Sequence, residues 1–278
     1  DLIGGKMLII GERINTSRKT KGESVVEAAV VARNAAFVSD LAAKQSEAGA
    51  DYIDINAGTI AFDEPASLMW LAETVQSSCD KPVSFDSPSG EALTAALSVY
   101  DSSRGVPMIN SVTPEQARFD AMVPLALEYK AKIIALAMPE DSLDNSPEAR
   151  IGAAETLIGK LTEAGIKIDN IYVDPLTFPI STGDDAAVNT LAVMRAVRKA
   201  YPEVHIVAGL SNVSHGLPCR KVINRAMMPL AIEAGLDAAI ADPLDRELMA
   251  VTAAAEMLLG KDEFCMNYIG LARAGKLI

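Results

Sequence analysis

Glu47-Ala48-Gly49-Ala50-Asp51-Tyr52-Ile53-Asp54-Ile55-Asn56 is the stretch that decides the fold. Its glycine suits the left-handed backbone position that closes a helix. A short apolar strand follows at once and finishes on polar side chains. The tripeptide Glu-Ala-Gly recurs at Glu163–Gly165 and Glu233–Gly235, each time just ahead of another apolar run. Working outward from these three, strands are predicted at Met7–Gly11, Asp51–Ile55, Pro82–Phe85, Val106–Ile109, Lys132–Ala137, Asn170–Val173, His205–Leu210 and Leu236–Ala241. Consecutive strands start roughly 25 to 45 residues apart, room for one helix and two loops. Ser146-Pro147 reads as a helix start, a capping hydroxyl followed by proline at the first helical position. Such alternation specifies a parallel sheet, and eight repeats predict closure into an α/β barrel of the (β/α)8, or TIM, class.

The 278 residues suit such a barrel as a single domain spanning 1–278, with no Pro/Ser-rich linker or low-complexity tract to divide it. Met7 reads as a natural start, with residues 1–6 as a leader or vector remnant. Nothing there resembles a signal peptide, and the longest apolar runs are too short to cross a bilayer, so a cytoplasmic protein without membrane contact is expected. A net charge of −12 argues against a nucleic-acid partner. The basic cluster Arg18, Lys19 and Lys21 reads first as a solvated loop, with contact to an anionic ligand tail or a partner as the alternative. Trp70 reads as packing on the helix after the second strand, and Met227 and Met228 as core filling. Cys79, Cys219 and Cys265 lack metal-knuckle spacing. His215 and Cys219 could suggest zinc, but no second cysteine lies nearby. Loop packing is the reading for both, and no bound metal is expected.

Barrel active sites lie at the C-terminal strand ends. There the sequence supplies Glu12, Arg13 and Asn15 after the first strand, Asp54 and Asn56 on the second, Asp86 on the third and Asn110-Ser111 on the fourth. Asp174 follows the sixth, Ser211-Asn212 the seventh and Asp242 the eighth. The fifth alone ends without a polar group, in Met138. Asp and Asn often follow strands merely as caps and turn formers, but seven of eight ends is more than that accounts for. By the two-residue period Asp54 and Asn56 share the inward face, and Ile53 and Ile55 the outward one. A rim of carboxylates and amides, with Arg13 and Arg220 as its cations, suits a flat ligand rich in N–H donors. A 2-amino-4-oxo pterin fits, its N3–H and amine offering two donors to one carboxylate. These residues alone do not separate it from a purine or a polyol. No glycine-rich phosphate loop is present.

Met7-Leu-Ile-Ile-Gly-Glu-Arg-Ile-Asn15, Tyr172-Val-Asp-Pro175, and Gly209-Leu-Ser-Asn-Val-Ser214 with Ile223-Asn-Arg225 resemble the methyltetrahydrofolate:corrinoid methyltransferases. The resemblance runs from Met7 to the C-terminus and is shared with the folate domain of cobalamin-dependent methionine synthase. It implies tetrahydrofolate and 5-methyltetrahydrofolate as substrates, with the corrinoid carried by a separate protein. Asp86, Asn110 and Asp174 would hold the pterin ring, Asp174 at the N3–H and 2-amino edge. Asn212 would bond N5 as the catalytic residue, and Ser211 would shape its loop. Further candidates are Glu12, Asn15, Asp54, Asn56, His215, Arg220 and Asp242; His215 stands where the family often has Gln. The family also implies a homodimer.

Neither His205 nor His215 fits an Asp-x-His-x-x-Gly corrinoid loop, so the corrinoid is expected on the partner. The acidic segment Glu140–Asp144 is a candidate for its docking. Two other readings compete with this one. A dihydropteroate synthase would need Ile-Asn-x-Thr-Pro-Asp-Ser-Phe after the first strand and a late Ser-Arg-Lys loop, where this chain has Glu-Arg-Ile-Asn-Thr-Ser and Ser-Asn-Val-Ser. A non-catalytic pterin-binding protein would bind methyltetrahydrofolate without consuming it.

Overall fold

The computed structural model describes residues 6–19, 22–60, 63–139 and 144–277. Eight parallel strands close in sequence order into a barrel: β1 (Leu8–Asn15), β2 (Tyr52–Asn56), β3 (Val83–Asp86), β4 (Met108–Val112), β5 (Lys132–Leu136), β6 (Ile171–Asp174), β7 (His205–Gly209) and β8 (Ala238–Ala241). The crossings carry α1 (Val25–Val31), α2 (Ala35–Glu47), α3 (Glu64–Gln76), α4 (Gly90–Ser98), α5 (Gln116–Glu128), α6 (Pro147–Glu163), α7 (Ala186–Ala200) and α8 (Arg220–Glu233). After β8 come α9 (Arg246–Leu258) and α10 (Met266–Arg273). The (β/α)8 expectation is met. No helix among the described residues is long and apolar enough to cross a membrane.

The three Glu-Ala-Gly sequences close helices in one way. Gly49, Gly165 and Gly235 have φ of +105°, +97° and +111°. The residue after each donates to the carbonyl five positions back: Ala50 to Gln45 (3.0 Å), Ile166 to Leu161 (3.0 Å) and Leu236 to Ala231 (2.9 Å). This is a Schellman closure. At Gly235 a Cβ would also meet Arg198 Cβ at 2.9 Å. α5 ends identically, Ala131 to Ala126 at 2.8 Å, but places Lys130 at φ +51°, so this copy of the repeat carries no glycine to reveal it. Ser146 Oγ accepts from Ala149 N at 3.2 Å and Pro147 begins α6, as the Ser-Pro pair predicts.

Two strands differ from prediction where it matters for the site. β1 continues to Asn15, with a register shift between Gly11 and Ile14. β4 starts at Met108 and not Val106, because Pro107 has no N–H to give the ladder; it runs on through Asn110 and Ser111, whose connecting peptide is cis.

Alternation then sorts the side chains. Ile9, Ile53, Ile55, Phe85, Ile109, Ile133, Val173, Ile206 and Ala239 point outward into the core beneath the helices. Inward, Ile10, Tyr52, Met108, Ile134, Tyr172, Val207 and Ala238 form a separate buried plug. Two residues further along each strand, one pleat repeat nearer the C-terminal mouth, stand Glu12, Asp54, Asn110, Leu136, Asp174, Gly209 and Ile240, joined from β3 by Asp86. The apolar plug supports a polar floor.

Candidate active site

Above that floor lies a cavity of about 840 Å³, lined by the eight floor residues and by loop residues that include Asn15, Arg18, Ser211, Asn212, His215, Arg220 and Asp242. Asp54 is the deepest carboxylate, only 2% exposed. Ser84 Oγ donates to its Oδ1 at 2.7 Å and Asn110 Nδ2 reaches the same oxygen at 3.5 Å. Burial, then the neighbouring Asp86, push the Asp54 carboxyl well above its ordinary range.

Asp86 is raised to about 6, chiefly by burial. Opposing this are the hydrogen bond from Asn56 and the nearby guanidinium of Arg118. Arg118 is held on α5 by donating from Nε to Ser111 O at 2.9 Å. Asp174 is likewise raised to about 6 by burial, against hydrogen bonds from the N–H groups of Leu176 (2.9 Å) and Gly209. Asp86 and Asp174 therefore lose their protons near pH 6, and hydrogen bonds from N–H donors favour their ionised form.

The loop after β7 is a 3-10 turn, Leu210–Ser214, that lays Asn212 over the floor. Gly209 leaves room for the Asn212 amide, since a Cβ there would stand 3.0 Å from Asn212 Nδ2. Arg220 staples the turn from the start of α8, donating to Ser211 O (2.6 Å) and Ser214 Oγ (3.0 Å). Ser211 Oγ donates to Glu12 Oε2 at 3.0 Å, and Arg18 grips Glu12 Oε1 at 2.9 Å. Arg18 also reaches Asp242 (3.4 Å), which Arg13 holds at 2.9 Å. One network thus joins the β1, β7 and β8 ends.

Of the residues singled out in the sequence, Glu12, Asn15, Asp54, Asp86, Asn110, Asp174, Ser211, Asn212, His215, Arg220 and Asp242 all border the cavity. Asn56 does not. Its amide is turned aside to Asp86, donating to Oδ2 at 2.9 Å and to the carbonyl at 3.1 Å, while its oxygen accepts from Gly58 N. Loop packing is corrected for His215 and Cys219, both exposed, with His215 at the mouth. Arg18 is no solvated loop residue, being paired twice; Lys21 lies outside the described residues, as do 140–143 of the acidic segment. Trp70 packs on the core beneath Arg33, and Met227 and Met228 are buried, as read.

The sequence reading missed Ser84, Arg118, Lys221, Asn224 and Asp245. It also missed Arg150, which is 1% exposed in α6. Arg150 donates to Pro175 O (3.1 Å), Leu176 O (2.9 Å) and Thr190 Oγ1 (3.4 Å), clamping the loop whose Leu176 N holds Asp174. None of these sits at a strand end, the signal that found the rest.

The chain is 33% identical over 273 residues to the methylcorrinoid:tetrahydrofolate methyltransferase of Eubacterium limosum, covering 98% of each protein. It is 31% identical over 246 residues to methionine synthase of Mycobacterium tuberculosis, matching 84% of this chain but only 20% of that longer enzyme. Among solved structures, dihydropteroate synthase from Xanthomonas albilineans in complex with 7,8-dihydropteroate superposes with a TM-score of 0.67. It covers 94% of this chain and 95% of its own at 21% identity, a likeness of fold. The description "pterin binding enzyme" matches residues 11–242, from the β1 glycine to the rim carboxylate of Asp242, and the chain belongs to that family.

Proposed function

We propose that this protein is a methyltransferase that moves a methyl group between N5 of tetrahydrofolate and the cobalt of a corrinoid carried by a separate protein. One observation carries the reading: the identity to a methylcorrinoid:tetrahydrofolate methyltransferase extends over 98% of both chains. The cavity supports it. Asp174, ionised, accepts the N3–H and 2-amino edge of the pterin, while Asp86 and Asn110 take other ring atoms. Asn212, over the floor, donates to N5.

In the forward direction the N5–methyl bond breaks as the electron pair of cobalt(I) takes the methyl group. N5 keeps the bonding pair and gains a proton from water. A tertiary amine is a poor leaving group, so a hydrogen bond at N5 that strengthens as the bond breaks stabilises the transition state over the ground state. A preorganised donor of this kind contributes about 3 to 4 kcal/mol. An amide is no conventional acid; Asn212 orients and stabilises while water supplies the proton. In reverse, its oxygen accepts from N5–H. Both directions use the same residues.

The corrinoid protein docks over the open mouth in this reading. Homodimer formation belongs to it too, and the exposed apolar side chains Leu258, Phe264 and Met266 near the C-terminus support that pairing. The test is to mix the protein anaerobically with 5-methyltetrahydrofolate and photoreduced cob(I)alamin and follow the absorbance of methylcobalamin. Absence of transfer in both directions, with a corrinoid protein also supplied, overturns the assignment. Likeness to dihydropteroate synthases is confined to the fold and does not favour that reaction.

A further inference from the structure

We infer that Arg118 is a positioning residue for the pterin floor: from α5 it holds the end of β4 and sets its positive charge behind Asp86, so that this carboxylate accepts from the N–H groups of the ring. The inference rests on the folate reading above and adds to it a residue that never touches the substrate.

The rim arginines Arg13, Arg18 and Arg225 each meet a carboxylate at 2.9 Å or less. Arg118 has no ion pair among the described residues, although it is half-buried where α5 packs on β4. It donates from Nε to Ser111 O at 2.9 Å and reaches Ser111 Oγ from Nη2 at 3.5 Å. Both acceptors are neutral. Drawing a guanidinium out of water is costly unless an opposite charge compensates, and burial does depress the Arg118 pKa. The charges that work against that burial are Asp86 first and Glu115 second. Glu115 is exposed, where water and salt screen it. The effect is mutual, since Arg118 in turn favours the ionised form of Asp86.

The fold carries this effect into the cavity. Arg118 does not border the cavity, whereas Ser111, Asn110 and Asp86 all do. Asp86 and Asn110 are paired across β3 and β4, and Ser87 N donates to Asn110 O at 3.1 Å. By holding Ser111, Arg118 fixes the strand end against which Asp86 is seated.

The acids around Asp86 give the cation its purpose. Asp54 acts on it from β2, and Glu64, which accepts from Ser87 Oγ at 2.6 Å, acts from the start of α3. Like charges so placed resist being ionised together. Against them stand the Asn56 amide and the Arg118 guanidinium. Without that guanidinium, Asp86 keeps its proton to higher pH and turns an O–H toward a ring edge that itself offers N–H. A donor then meets a donor.

The test is the dissociation constant of 6-methyltetrahydropterin, a probe without carboxylates, measured anaerobically from about pH 6 to about pH 8.5. The native protein is compared with Arg118→Gln, which keeps an N–H donor but no charge, and with Arg118→Lys, which keeps the charge. Loss of one nearby opposite charge raises a carboxyl by about one pH unit. The affinity of Arg118→Gln is therefore expected to fall about threefold at about pH 6.5 and to rejoin the native value above about pH 8. Arg118→Lys is expected to recover most of that loss. Arg118→Met, neutral and without a donor, repeats the reading should Arg118→Gln not fold. A loss independent of pH, no loss at all, or a Lys variant as weak as the neutral one overturns the role and leaves the folate reading standing. Failure of the native protein to bind the probe at any pH overturns the folate reading itself.

Discussion

Asn56 Nδ2 stands 2.9 Å from Asp86 Oδ2 and 3.1 Å from the Asp86 carbonyl, so a side chain that does not border the cavity aims and charges one that does. The bond favours the ionised Asp86, against burial that raises its carboxyl to about 6. A hydrogen bond to a charged group contributes about 1.5 to 3 kcal/mol, or roughly one to two pKa units. Asn56→Ala should therefore move the acidic limb of folate affinity up by about one pH unit. The measurement is the dissociation constant across pH 5 to 8, and an unmoved limb would remove Asn56 from the site.

Asn212→Ala should lower methyl transfer by about 10²-fold, the scale of one preorganised donor. Gly209→Ala tests the same group indirectly. The added Cβ lies 3.0 Å from Asn212 Nδ2 and pushes that amide aside by a few tenths of an ångström. A loss in kcat with little change in pterin affinity is expected, read from single-turnover formation of methylcobalamin. Full activity in Asn212→Ala would refute the N5 role.

Asp174 makes stability depend on pH. Its folded pKa of about 6 exceeds the ordinary carboxylate value, so folding favours the protonated acid. That contribution is fully present below about pH 4 and lost as pH rises through about 6. The thermal midpoint of Asp174→Asn, relative to the native protein, should thus climb as pH goes from 4 to 6.5 and then level off. A difference independent of pH would show that Asp174 is not raised. Ligand binding has the opposite sense: pterin prefers the carboxylate, so affinity should rise up to tenfold per pH unit below about 6 and reach a plateau above it.

Arg150 carries the β6–α7 loop. Arg150→Met would strip the partners from Pro175 O, Leu176 O and Thr190 Oγ1. At about 1 to 3 kcal/mol for each buried group left unpaired, a loss of several kcal/mol is expected in denaturant unfolding. Because Leu176 N also holds Asp174, folate affinity should fall with it in whatever fraction folds. Unchanged stability would show that the clamp is dispensable.

By itself the sequence determined the barrel, the mouth at which its chemistry gathers, and most of the side chains there. The reason is local. Gly49, Gly165 and Gly235 mark helix ends through backbone conformation alone, and a strand's two-residue period sends Asp54 inward wherever Ile53 goes outward. Tertiary structure decided what each rim residue faces. Asn56 and Asp86 are 30 residues apart, Ser211 and Glu12 are 199 apart, and Arg150 lies 26 from Leu176. No periodicity reports such contacts, since they exist only once the barrel has closed and burial has set the price of leaving each polar group alone. That closure left Asn56 holding Asp86 and turned Arg18 from a loop charge into a latch.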